Sequence, residues 1–145
     1  MKTITNLNQL KKHKYNAKKT VVDGIKFDSL SEAKYYQMLK RQMELGGIKN
    51  FSRQVKFELQ GKYKHPYSGK IVRSINLIID FVVTYNDDRT ELVDVKGMMT
   101  DVFKIKAKML MKRTGMSLVI AKYDKRTKSF KHTIFGVKNN DHNNN

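Results

Sequence analysis

Residues 90–97 read TELVDVKG, Thr90-Glu91-Leu92-Val93-Asp94-Val95-Lys96-Gly97. Leu92, Val93 and Val95 make this a short strand, rich in β-branched residues and stopped by Gly97. With side chains alternating at period two, Leu92, Asp94 and Lys96 fall on one face and Glu91, Val93 and Val95 on the other. An acid and a base therefore lie next to one another inside an apolar strand. Full burial would make that pair expensive. A cleft at the strand end, shared with a cation and a phosphate, removes the difficulty.

Just upstream, Ile71–Tyr85 (IVRSINLIIDFVVTY) is the most apolar stretch of the chain, and Asp80 interrupts it. Period two places Ile78, Asp80 and Val82 on one face, with Ile79, Phe81 and Val83 on the other. A carboxylate among such neighbours needs a partner. The segment Asn86–Arg89 (NDDR) carries turn residues, so the two stretches should form an antiparallel hairpin. That pairing brings Asp80 near Asp94 and Lys96.

The 145 residues and 17.0 kDa fit one domain with a core of its own. Without cysteine, a disulfide scaffold and a cysteine-based zinc site are both excluded. No apolar run reaches the roughly 18 residues a membrane helix needs, and the N-terminus lacks the apolar block of a secretion signal. These features give an expectation of no membrane, and an intracellular, cytoplasmic protein fits them best. Thirty Lys and Arg against 13 Asp and Glu leave a net charge of +17, which selects a polyanionic partner, nucleic acid first.

In chain order, residues 1–20 read as a basic arm, with Lys11, Lys12, Lys14, Lys18 and Lys19 available to phosphates. Residues 21–138 form the domain and 139–145 (NNDHNNN) a disordered tail. Val21–Phe27 is a small hairpin turning at Asp23–Gly24. A helix over Leu30–Leu45 begins on the capping-box pattern Ser29-x-x-Glu32 and is closed by Gly46–Gly47. Glu32, Tyr36, Leu39 and Met43 share its inward face, so Glu32 has either a capping role, a site role, or both. Gln54–Gln60 alternates as a strand with Val55, Phe57 and Leu59 buried. Gly61–Lys70 is a polar loop that offers Lys62 and Lys64 to a substrate. Helix two spans Asp101–Thr114, with Phe103, Ala107, Leu110, Met111 and Thr114 inward and lysines outward. Strands follow over Ser117–Tyr123 and Ser129–Val137, the first of them parallel to the TELVDVKG strand. The order α-β-β-β-α-β-β gives an α/β (mixed α+β) domain with a central mixed sheet flanked by helices.

Two acids on neighbouring strands suit a hard divalent ion such as Mg²⁺, for which Mn²⁺ should substitute. Asp80 is the expected central ligand, with Asp94, the Val95 carbonyl and Glu32, direct or through water. Lys96 either works on the attacking water and the transition state or serves as a structural partner of Asp94. The four histidines are scattered without metal-like spacing, and no GxxxxGK phosphate loop occurs.

Taken in order, SLSEAKYY (29–36), QVKFEL (54–59), IIDF (78–81) and VDVKG (93–97) before a lysine-bearing helix resemble the PD-(D/E)XK nuclease superfamily. The likeness is greatest to its small phage-encoded members related to Holliday junction resolvases. It implies a restriction-endonuclease-like core, with Glu32 as the first-helix acid, Asp80 as the motif aspartate and Asp94 with Lys96 as the (D/E)xK pair. It also implies a supporting role for Gln54, and for Lys104 or Lys108 of helix two. Ile79 stands where the motif has proline. The implied activity is Mg²⁺-dependent endodeoxyribonuclease cutting of branched or junction DNA in recombination or repair, commonly by a homodimer. A non-catalytic basic nucleic-acid-binding protein is the competing reading.

Overall fold

The computed structural model describes residues 19–137. Lys11, Lys12, Lys14 and Lys18 of the basic arm, and the expected tail, lie outside them. Strands β1 (Thr20–Val22) and β2 (Ile25–Phe27) form the first hairpin. Asp23 and Gly24 take φ of 52° and 73° at its turn, the left-handed pair that a two-residue hairpin requires. Helix α1 (Leu30–Glu44) follows, its Ser29 Oγ accepting the Glu32 N–H at 3.1 Å. The hairpin is tied to the helix through Asp23, which accepts from Tyr36 Oη and Lys40 Nζ at 3.1 and 2.6 Å.

The central sheet contains β3 (Asn50–Gln60), β6 (Ile75–Thr84), β7 (Thr90–Val95), β8 (Ser117–Asp124) and β9 (Ser129–Ile134), in that spatial order. Only β7 and β8 run parallel, joined by helix α2 (Asp101–Thr114). Thr100 caps α2 at its start, and Gly115 at φ 69° ends it. Over the described residues the fold is thus mixed α+β, with five central strands and two helices.

The helices lie on opposite faces of the sheet. Tyr35, Tyr36 and Leu39 of α1 pack with Val93, Val95, Val119 and Ala121, whereas Phe103, Ala107 and Leu110 of α2 pack with Leu92, Leu118 and Ile120. Residues adjacent along β7 and β8 thereby serve different cores, as period two demands. Each large side chain buried this way contributes roughly 1.5–3 kcal/mol.

Several expectations need correction. The apolar stretch 71–85 is broken, with Ile71–Val72 forming β5, which pairs with β4 (Tyr63–Lys64) inside the expected loop. The last strand stops at Ile134, and Met43 is exposed rather than inward. The most consequential difference lies in β6. Leu77 and Ile79 pack on the α2 side, yet Phe81 and Val83, of the same parity, pack on the α1 side. The ladder with β3 skips one pair at this point, passing from Arg53↔Phe81 to Val55↔Ile79. The omitted residues are Gln54, at φ 49°, and Asp80. The β3–β6 ribbon rolls over there, and Asp80 sits at the roll.

Candidate metal and phosphate site

Three elements position the expected acids. Past Phe81↔Val93, β6 and β7 no longer pair backbone to backbone. The Val95 N–H instead donates to Asp80 Oδ2 at 2.9 Å. The other oxygen, Oδ1, accepts from Gln54 Nε2 at 3.2 Å, so the rolled residue of β3 holds the rolled residue of β6. Gln54, to which the resemblance assigns a supporting role, is thus in contact with Asp80.

Among the described residues Asp94 is the one charged side chain that is buried, at 2% exposure. It follows Leu92 on the face toward α2. Lys96 brings its Nζ to 3.1 Å from Asp94 Oδ1 and 4.5 Å from the Phe103 ring centre. The two charges are in ion-pair contact without hydrogen-bond alignment, so Asp94 Oδ1 remains a buried oxygen with no hydrogen-bond donor. Such an atom is costly unless something else meets it.

Glu32 occupies the first turn of α1. Its backbone is capped by Ser29, whose side chain also favours the charged Glu32 carboxylate, and both residues line a cleft of about 320 Å³. Val95, Lys96, Lys122 and Tyr123 contribute to the same cleft, which opens beyond the C-terminal ends of the parallel strands β7 and β8. Asp80 and Asp94 lie outside its lining.

Electrostatics tie the three acids together. Burial, then the charges of Asp94 and Glu32, push the Asp80 carboxyl up to about 7, against the opposing Val95 N–H and Lys96 charge. Burial, then Asp28, with a smaller part from Asp94, raises Glu32. Negative charge is thus concentrated beyond what one lysine offsets. Among the described residues, no group of three His, Asp or Glu side chains forms a ready-made metal cage. The donors that fit a hard cation are two carboxylates, a nearby third, and main chain. In an extended strand a residue's N–H and C=O point to the same edge, so the Val95 carbonyl faces Asp80.

The helix-two lysines fall elsewhere. Lys104 pairs with Asp101 at 3.7 Å and Lys108 is exposed, while Lys106 donates to the Asn76 carbonyl at 3.0 Å. Lys19, Lys62 and Lys64 are exposed. Lys122 and Tyr123 were missed. The parallel register Val95↔Ala121, read with the rule that ligands sit beyond the carboxyl ends of parallel strands, points to them. Lys34 Nζ donates to Tyr123 Oη at 2.9 Å, fixing that ring at the cleft wall.

A larger cleft, about 540 Å³, lies at the N-terminal end of β7 between α1 and the sheet. None of the expected residues lines it, and its polar groups satisfy one another: Tyr35 Oη with His132 Nε2 at 3.0 Å, and Tyr85 Oη donating to Glu91 at 3.0 Å.

Among the described residues no helix is long and apolar enough to cross a membrane. Residues 12–134 match a family described as a protein of unknown function, DUF1064. No curated protein and no solved structure matches the chain.

Proposed function

We propose that this chain, which belongs to the DUF1064 family, is a divalent-metal-dependent endonuclease that hydrolyses DNA phosphodiester bonds. The observation that carries the reading is the crowding of carboxylates at one place: buried Asp94, ion-paired with Lys96, and Asp80, whose carboxyl is raised to about 7 by burial and then by the charges of Asp94 and Glu32. A divalent cation would balance the negative charge that Lys96 alone does not offset. The residues that would hold it are Asp80 and Asp94, with the Val95 carbonyl and Glu32 at the cleft. When bound, a divalent ion polarises the scissile phosphate and activates the attacking water.

The chain's own residues do the rest. Gln54 and the Val95 N–H fix both oxygens of Asp80, setting its orientation before substrate arrives. Lys96, held between Asp94 and Phe103, presents an ammonium at the cleft to orient water or offset charge on the phosphate. Lys122 adds a second cation on the same wall. The element order, a helix, three strands, a helix and a strand, supports a restriction-endonuclease-like reading of the fold. Branched or junction DNA is the proposed substrate and a homodimer the proposed assembly, both on the resemblance to junction resolvases.

A non-catalytic binder would also use the +17 charge. It would have no use for paired carboxylates at a phosphate-binding surface, where they repel the ligand. The deciding experiment incubates the protein with linear, nicked, flap and four-way DNA in Mg²⁺ or EDTA, beside Asp94→Ala. Cutting by the wild type in Mg²⁺ alone is expected. Identical behaviour of wild type and variant on every substrate rejects the nuclease reading.

A further inference from the structure

The small β4–β5 hairpin ends in a tip, His65–Lys70, that is unusually well fastened for an exposed loop. His65 is its hub. Its N–H donates to the Lys70 carbonyl at 2.8 Å, its carbonyl accepts the Gly69 N–H at 2.9 Å, and its Nδ1 accepts the Ser68 N–H at 3.1 Å. Ser68 Oγ in turn accepts the Lys70 N–H at 3.3 Å, and Gly69 takes φ 67° to close the turn. Pro66 fixes a further backbone angle. On this frame Tyr67 stands 95% exposed, its ring braced edge-on by His65 at 6.0 Å. Lys62 and Lys64 precede it on the hairpin and Lys70 follows it, all exposed.

A solubilising loop needs neither the fastening nor the ring. A rigid aromatic with lysines about it matches the two surfaces of a nucleotide, a flat base and an anionic phosphate. Bases inside a duplex have both faces covered by their neighbours. A single ring on a narrow hairpin stacks best where a base is unpaired: a single strand, a gap or an open branch point. The tip precedes β6 in the chain, and the six residues from Ile75 to Asp80 alone span roughly 17 Å. Half the length of β6 thus separates the hairpin from Asp80 along the chain.

We infer that the His65–Lys70 tip is a stacking platform for an unpaired base, with Tyr67 as the stacking ring and Lys62, Lys64 and Lys70 on the flanking phosphates. The inference rests on the nucleic-acid part of the proposed function and is independent of the metal site.

The test measures binding of the full chain in EDTA, by fluorescence anisotropy, to single-stranded, four-way and fully paired duplex DNA, with anionic vesicles as a further arm. Tyr67→Ala should weaken single-strand and junction binding by roughly 5- to 30-fold and leave the duplex unchanged. The chain contains no tryptophan, so Tyr67→Trp adds a single reporter, whose emission should be quenched by single strands and junctions and not by duplex. Equal affinities of wild type and Tyr67→Ala, a loss shared by the duplex, or Tyr67-dependent binding to vesicles alone each overturn the inference. If the wild type binds no DNA of any form, the proposed function falls with it. Binding without dependence on Tyr67 removes only the platform.

Discussion

Asp80 Oδ2 takes its hydrogen bond from the Val95 N–H, 2.9 Å away, at the position where β6 and β7 stop pairing through their backbones. A carboxylate has replaced a ladder carbonyl. Asparagine at position 80 keeps an acceptor oxygen there and loses the charge. Asp80→Asn should therefore abolish Mg²⁺-dependent cleavage while DNA affinity in Ca²⁺ stays within about twofold of wild type. Loss of DNA affinity together with cleavage, in gel shifts, would show that Asp80 serves the fold instead.

The same carboxyl makes stability depend on pH. Its folded-state value, about 7, exceeds the 3.8 of an ordinary aspartate, so the folded chain holds this proton more tightly than the unfolded one. Its contribution to stability is full below about 4, declines as pH rises, and levels off above about 7. The ceiling is about 1.4 kcal/mol per pH unit of separation. In EDTA, urea midpoints of the wild type should fall between pH 5 and pH 8 more steeply than those of Asp80→Asn, and Mg²⁺ should restore the wild type at pH 8. Parallel pH profiles for the two proteins contradict this assignment.

Gln54 occupies the left-handed region in the middle of a strand, with φ 49°. Both Gln54→Ala and Gln54→Gly delete the amide that holds Asp80, so both should lower cleavage, by about 10- to 100-fold. Their stabilities should differ in the direction opposite to that of an ordinary strand. Glycine should be the more stable by about 1 kcal/mol, because only alanine suffers the left-handed penalty. Thermal or urea unfolding of the pair reads that sign directly.

Lys96 is the only cation within ion-pair reach of buried Asp94 among the described residues. Lys96→Met should destabilise the protein by about 2 kcal/mol, less than a fully buried pair would lose because the lysine is 29% exposed. Adding Asp94→Asn should recover most of that loss without recovering cleavage. Additive losses in the double variant would show that the two side chains do not interact.

Much of this architecture was legible in the residues. Ser29-x-x-Glu32 marks a helix start and Asp23–Gly24 a turn, because each acts on backbone within three residues of itself. Asp94 and Lys96 could be assigned to one face because β7 is regular. The alternation argument failed in β6, where it put Ile79 and Phe81 on one face and the chain sends them to different cores. Period two describes an unrolled strand, and nothing local to IIDF announces that Gln54, 26 residues earlier, adopts a positive φ opposite it. Lys122 and Tyr123 escaped for a related reason: their nearness to Lys96 is a product of the parallel crossover and not of any motif.

Strand β6 contributes Leu77 and Ile79 to one core and Phe81 and Val83 to the other, with Asp80 between them. Neither half of the molecule can open without loosening the strand that the other half depends on. Unfolding should accordingly be cooperative across both layers, and the amide protons of β6 should exchange with deuterium only through global opening. The acids are mounted where the two halves are welded, which keeps their spacing insensitive to local breathing of either helix.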